Sequence, residues 1–220
     1  MTGEDAVADR GDMSALHLAE AVATRVCHDL AGLLGALTGA LELAGDPAQA
    51  DESLVFADEA AATLSLRLRL LRAAWGPDGE GQTVGELRGL LAGLQLGRRV
   101  RLILDGVPAH RQFSAAASRL LLNLAMLGVE AVGGEGEVEL IEASPGEIVV
   151  SISGPRAAWP AGFAEVLHDR VAARRATAEV GPRGLQAMIT ALIAHESGQR
   201  VDLLFAATTE AAAPLCVRLV

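Results

Sequence analysis

Lysine is absent from this 220-residue chain, and all 18 basic residues are arginine. That excludes any mechanism built on a Schiff base or a lysine nucleophile. Cysteine is nearly as scarce. Cys27 and Cys216 form neither a metal-ligand spacing nor a disulfide framework, and both are expected to be reduced. Positive charge is outnumbered by 28 acidic residues, which leaves a formal net charge of −10. Nucleic acid and anionic membrane are therefore not expected partners, because both are bound through basic surface. No apolar run of bilayer-spanning length is read from the sequence, and the first dozen residues are acidic and small, unlike a signal peptide. The expected location is the cytoplasm.

Apolar residues make up 51% of the chain, enough for a sizeable core in one large or two small domains. Met1 to Asp12 lack periodicity and are expected to be a loose tail. A long helix is expected from an N-cap at Asp12 or Ser14 to about Ala44, stopped by Gly45-Asp46-Pro47. In it Val26, Leu30, Leu34, Leu37 and Leu41 form an apolar stripe roughly 160° to 240° from His28 at about 100° per residue. His28 is thus expected to face water. Thr24, Gly32, Gly35 and Gly39 lie within about 40° of it. A glycine inside a helix costs about 1 kcal/mol relative to alanine, so three on one face point to something bulky that must approach His28 closely.

The next segment, Asp51 to Trp75, carries Leu54, Ala57, Ala61, Leu64, Leu68, Leu71 and Trp75 at spacings of three and four, the pattern of an antiparallel helical hairpin. Leu66 and Leu70 add a second apolar edge. A second copy of the chain, making a dimeric four-helix bundle, is the expected cover for that edge; the rest of the same chain is the alternative. The Gly/Pro-rich stretch Trp75 to Gly81 reads as a linker. It divides a helical hairpin domain at 13–75 from a second domain at 82–220.

Beyond the linker the pattern alternates helix and strand. A capping box, Thr83 with Glu86, starts a helix to Leu96. Arg99 to Leu104 reads as a half-buried strand, Ser114 to Val132 as an apolar helix, and Glu137–Ala143 with Glu147–Ser153 as a hairpin. A short helix near Gly162 to Asp169, an unassigned loop, a helix at Gly184 to Glu196, and strands at Val201–Ala206 and Leu215–Val220 complete the reading. The fold class is α+β: a helical hairpin plus an α/β sandwich with one mixed sheet and helices on one side.

Among five histidines, His28 stands apart by its company. Asp29 follows it and is placed to orient an imidazole, whose ordinary pKa of about 6.5 suits it to accept a phosphoryl group near neutral pH. His17, His110, His168 and His195 read as ordinary surface or cap residues. Cys27-His28-Asp29-Leu30 on a helical hairpin, ahead of a domain like a worn-down histidine-kinase ATPase, resembles the ChpT-type histidine phosphotransferases of alphaproteobacterial phosphorelays. The resemblance implies a homodimeric bundle in which His28 carries phosphate between receiver-domain aspartates. The donor would be the receiver of a hybrid histidine kinase and the acceptors those of response regulators. The resemblance assigns the chemistry to His28, with Asp29 as its acidic neighbour. Arg25 and Asp29, with the glycine face of Gly32 and Gly35, are the partner-contact candidates, and Arg67, Arg69 and Arg72 are further ones, although an arginine series on a helix is usually a solvated face. The resemblance also implies no bound cofactor, with Mg²⁺ belonging to the receiver. Asn123 matches the first asparagine of the kinases' Mg²⁺-holding helix, but Leu127 stands where the metal-holding one would be. Ile152-Ser153-Gly154-Pro155 lacks the adenine-reading aspartate, and Gly184-Leu185-Gln186-Ala187 replaces a glycine repeat. ATP binding and autokinase activity are therefore not expected, and Asn123 is expected to be structural. Gly32 stands where related kinases place a side chain that assists dephosphorylation, so shuttling without strong phosphatase activity is expected.

Three other readings compete. His28-Asp29 also spells the dyad of metal-dependent HD-type phosphohydrolases, although His17, eleven residues upstream and about three turns away, is too far to share one ion. An active ATP-binding kinase would need the missing nucleotide groups. A dimeric scaffold would leave His28 incidental.

Overall fold

The computed structural model describes residues 3–76, 80–95, 99–176, 181, 184–205 and 212–219, and of residues 3–14 and 95 the backbone alone. Pro77 to Gly79 of the linker, Leu96, Ala206 and Val220 lie outside the described residues. Two long helices come first, α1 (Gly3–Leu43) and α2 (Ala50–Trp75), packed as an antiparallel hairpin. The expected loose tail is instead the first turns of α1. Lengthening an existing helix adds one backbone hydrogen bond per residue and needs no new nucleus.

The hairpin's covered face differs from the stripes read off the sequence. Val26, Leu30 and Leu37 are half-buried, whereas Leu34 and Leu41 are 48% and 52% exposed. On α2, Ala57 and Leu71 are buried, but Leu54 and Leu68 are 52% and 46% exposed. Each apolar stripe is wider than the single groove a hairpin offers, so one edge meets the other helix and the second edge is left in the open. Leu70 of the second edge is fully buried in a core shared with the second domain, so the chain itself supplies the cover at that level. Leu66 is half-buried against α3 (Val84–Gln95), which comes close because a Cβ on Gly93 would lie 3.2 Å from the Leu66 backbone.

Length and composition also revise the membrane reading. Among the described residues one helical stretch, Ala15–Leu43, is long and apolar enough to cross a bilayer by those criteria alone. It carries Glu20, Arg25, Asp29 and Glu42, each costly within hydrocarbon, and one of its faces is packed on α2.

The second domain follows the expected order. Strands β1 (Gln82–Thr83) and β3 (Gln112–Phe113) pair as a small antiparallel ribbon. The main sheet runs β2 (Arg99–Gly106), β4 (Glu135–Ser144), β5 (Glu147–Ser153), β7 (Leu215–Arg218), β6 (Arg200–Leu203), with β2 parallel to β4 and the other neighbours antiparallel. Alternation along β4 and β5 buries Val138, Leu140, Ile148, Val150 and Ile152 under the helices. The central helix α4 (Ala115–Ala131) starts at Ser114, whose hydroxyl accepts from the Ala117 amide at 3.2 Å. Gly128 lets α4 lie directly on the sheet, since a Cβ there would come within 2.8 Å of Val138. The capping box also forms: Thr83 N donates to Glu86 Oε2 at 2.7 Å and Glu86 N to Thr83 Oγ1 at 3.3 Å. Helix α5 (Phe163–His168) is followed by α6 (Arg170–Ala176) in place of part of the unassigned loop, and α7 (Leu185–Ser197) packs beside α4. Leu70, Leu71 and Ala74 of α2 join α3, α4, α7 and the sheet in one hydrophobic cluster. The two parts of the chain therefore share a core.

Candidate functional site

His28 lies midway along α1, with its side chain 86% exposed. Helical geometry sets this directly, because the face that carries it is turned away from the side that meets α2. Around it, a Cβ added at Gly32, Gly35 or Gly39 would meet no heavy atom within 4 Å. The three glycines are thus not demanded by packing inside this chain. Cys27 beside them is exposed.

Asp29 points the other way, into the hairpin. Its side chain is 12% exposed, and both carboxylate oxygens are taken: Arg25 Nε donates to Oδ1 at 3.1 Å, and Arg67 Nη2 to Oδ2 at 2.6 Å. Burial pushes the Asp29 carboxyl up, but the hydrogen bond and charge of Arg67, followed by those of Arg25, outweigh it and hold the group below the ordinary carboxylate range. His28 Nδ1 is 3.7 Å from Asp29 Oδ1, beyond hydrogen-bond reach. In this arrangement Asp29 braces the turn that carries the imidazole and does not clasp the ring.

Arg25 is likewise turned inward. It is 18% exposed, and besides Asp29 its Nη2 donates to Glu130 Oε1 of α4 at 2.5 Å. Burial lowers the Arg25 pKa, while Glu130 and then Asp29 raise it further, so the guanidinium stays charged. Arg67, read from the sequence as one of an exposed arginine series, is 9% exposed. Arg69 and Arg72 are exposed; with Arg119 they line a cleft of about 330 Å³ between α2 and α4. The structure thus brings Asp29, Arg25 and Arg67 together on the inward side of the turn that carries His28 and leaves His28, Gly32 and Gly35 open on the outward side.

Two residues that sequence reasoning missed complete the junction. Glu130 lies 105 positions from Arg25, beyond any local pattern. Trp75 reads in the sequence only as an apolar position, yet its indole Nε1 donates to Asn123 Oδ1 at 2.9 Å. A signal for Arg67 was present. Ala57, Ala60, Leu64, Arg67, Leu71 and Ala74 follow spacings of three and four, so a charge at that place in a core stripe calls for a buried partner.

Asn123 is fully buried and fully engaged. Its Nδ2 donates to the carbonyls of Ala74 and Arg119 at 2.9 and 2.8 Å, and its Oδ1 accepts from Trp75 and from Gln186 Nε2, the latter at 3.0 Å. With all its hydrogen-bonding capacity used, this amide has nothing left for a metal or nucleotide. Leu127, one turn on, is 1% exposed. These residues do not fit a Mg²⁺-nucleotide. Among the described residues no group of three or more His, Cys, Asp or Glu side chains is placed to hold a metal ion.

The family model for the histidine phosphotransferase C-terminal domain matches residues 84–209, more than half of the chain. The chain belongs to that family. A relative, protein phosphotransferase ChpT of Brucella abortus (strain 2308), is 24% identical over 197 residues, covering 87% of this chain and 91% of its own. The solved structure of a bacterial phosphotransferase aligns with a TM-score of 0.65 at 21% identity, covering 92% of this chain and 95% of its own. Both alignments extend beyond the family match, and the structural likeness is one of fold. For a histidine phosphotransferase, the exposed imidazole of α1 is the group to examine.

Proposed function

We propose that this chain is a phosphorelay intermediate in which His28 carries a phosphoryl group between the aspartates of two receiver domains. The observation that carries the reading is an imidazole 86% exposed above a glycine face whose three Cβ positions are empty. In the loading step the outward Nε2 attacks phosphorus of an aspartyl phosphate; the N–P bond forms as the aspartyl P–O bond breaks, and the carboxylate leaves. Unloading reverses this on a second receiver. Such transfer asks mainly for in-line positioning and charge neutralisation, and the Mg²⁺ that neutralises the charge would sit in the receiver.

Gly32 and Gly35 form the floor on which a receiver docks, and the absence of a hydroxyl or amide at Gly32 favours shuttling over phosphatase action. Asp29 acts on the reaction by holding the His28 turn, and Arg25 shapes the flank of the docking face. The engaged Asn123 and buried Leu127 support a second domain that neither binds ATP nor phosphorylates His28. Exposed Leu34, Leu41, Leu54 and Leu68 support a homodimer through the hairpins, completing a four-helix bundle. A cytoplasmic setting fits this role.

Incubation with a phosphorylated receiver tests the reading. The expected result is an acid-labile, base-stable label on the wild-type chain and none on the His28→Gln variant. Equal labelling of both would overturn it.

A further inference from the structure

We propose that α4 of the second domain positions the phosphotransfer histidine, with Glu130 and Arg67 acting as positioning residues through Arg25 and Asp29. The proposal rests on the reading of His28 as the phosphoryl carrier. Four side chains of alternating charge join three helices in series. Glu130 of α4 meets Arg25 of α1 at 2.5 Å, Arg25 meets Asp29 at 3.1 Å, and Asp29 meets Arg67 of α2 at 2.6 Å. Their side chains are 27%, 18%, 12% and 11% exposed in that order, so the series runs from the surface into the hairpin, where screening by water falls away. The four charges cancel. Removing any one leaves a partly buried neighbour uncompensated.

The series brackets the reacting group. Arg25 precedes His28 by three residues and Asp29 follows it by one, so both lie on the turn that aims the imidazole. With each oxygen of Asp29 taken by an arginine, the carboxylate serves as a strut. Its outer anchor is a residue of the other domain.

Glu130 is also one end of a rail along α4. Arg119, Asn123 and Glu130 are spaced by four and seven, which puts them within about 40° of one another on the helix. All three reach the hairpin: Arg119 Nε and Asn123 Nδ2 donate to the Ala74 carbonyl at 3.3 and 2.9 Å, and Glu130 accepts from Arg25. Asn123 and Glu130 are separated by about 10 Å along the axis, so contacts at both ends resist pivoting of the hairpin on α4. Helix α4 thereby fixes the angle of the histidine helix.

The test is single-turnover phosphoryl transfer from a phosphorylated receiver to the full-length chain, with receiver concentration varied and thermal melting recorded. Wild type, Glu130→Gln, Glu130→Asp, Arg25→Gln and the double variant Arg25→Gln/Glu130→Gln are compared, with His28→Gln as the blank. We expect Glu130→Gln to lower the maximal rate about tenfold, as small misplacements of a reacting group do, with half-saturation within about twofold of wild type. The double variant should be no slower than Arg25→Gln alone, the signature of two residues acting in one series, and Glu130→Asp should recover part of the rate. Glu130→Asp carries the test if Glu130→Gln does not fold. An unchanged rate, a change confined to half-saturation, or additive losses in the double variant would overturn the proposal. Absence of label on wild type would instead count against the His28 reading itself.

Discussion

On the proposed reading of His28 as phosphoryl carrier, the residues around it divide their duties. The imidazole stands in solvent, the glycines keep the approach clear, and Asp29 is spent on holding the backbone turn. The division makes the glycines informative. Gly35→Ala puts a methyl group into empty space, so it should stabilise the chain by about 1 kcal/mol through helix propensity. If the floor is a docking surface, the same substitution should raise the receiver concentration needed for half-maximal transfer. Denaturant melts and transfer kinetics on one preparation check both, and a stabilised variant with unaltered half-saturation would remove Gly35 from the docking face. Asp29 makes the opposite case. Asp29→Asn leaves buried Arg67 without its anion, a loss on the order of 2–3 kcal/mol.

At the level of elements, the hairpin leaves work undone. Leu34 and Leu41 on α1 are seven apart, as are Leu54, Ala61 and Leu68 on α2, so each helix presents a heptad-spaced seam to solvent. Covering four leucines that are already about half buried recovers on the order of 1 kcal/mol for each that becomes fully buried, and two-fold pairing covers both seams at once. Sedimentation equilibrium is expected to give about twice the chain mass of 22.7 kDa, and Leu34→Glu/Leu68→Glu should give the monomer. A monomeric wild type would contradict the bundle. Helix α4 shows the reverse economy: nearly every residue is buried, and its one fully enclosed amide, Asn123, is consumed in joining the domains.

Taken as a whole molecule, the chain is an acidic protein whose hairpin and second part share a hydrophobic core and are tied also by a charge series, and that series gives stability a definite pH dependence. The Asp29 carboxyl is held below its ordinary value of 3.8 in the folded chain. Its contribution is therefore complete above that value and lost as pH falls through the lower folded value. The destabilisation caused by Asp29→Asn should be constant from neutral pH to about pH 5 and shrink below 3.8, read from denaturant melts at stepped pH. The order of helices and strands was legible in the sequence because periodicity and caps are local: the Thr83–Glu86 box, the apolar helix from Ser114 and the hairpin of Glu137–Ala143 with Glu147–Ser153 were all readable. His28 was legible for the same reason, its exposure following from helix geometry. Glu130 was not, because its partner Arg25 lies far away in the chain, and for Arg67 only its place in a core stripe was legible, not the distant Asp29 that pairs with it. Leu34 and Leu68 misled because a stripe two grooves wide does not say which groove the chain itself fills.

Carriage of phosphate between receivers is read from catalytic turnover. A phosphorylated donor receiver and an unphosphorylated acceptor receiver are mixed with the chain at a small fraction of their concentration, and phosphate on the acceptor is followed in time. The acceptor is expected to become labelled through many turnovers with wild type, and His28→Gln to give no more label than the mixture without the chain. Acceptor labelling by His28→Gln at the wild-type rate would contradict carriage by His28.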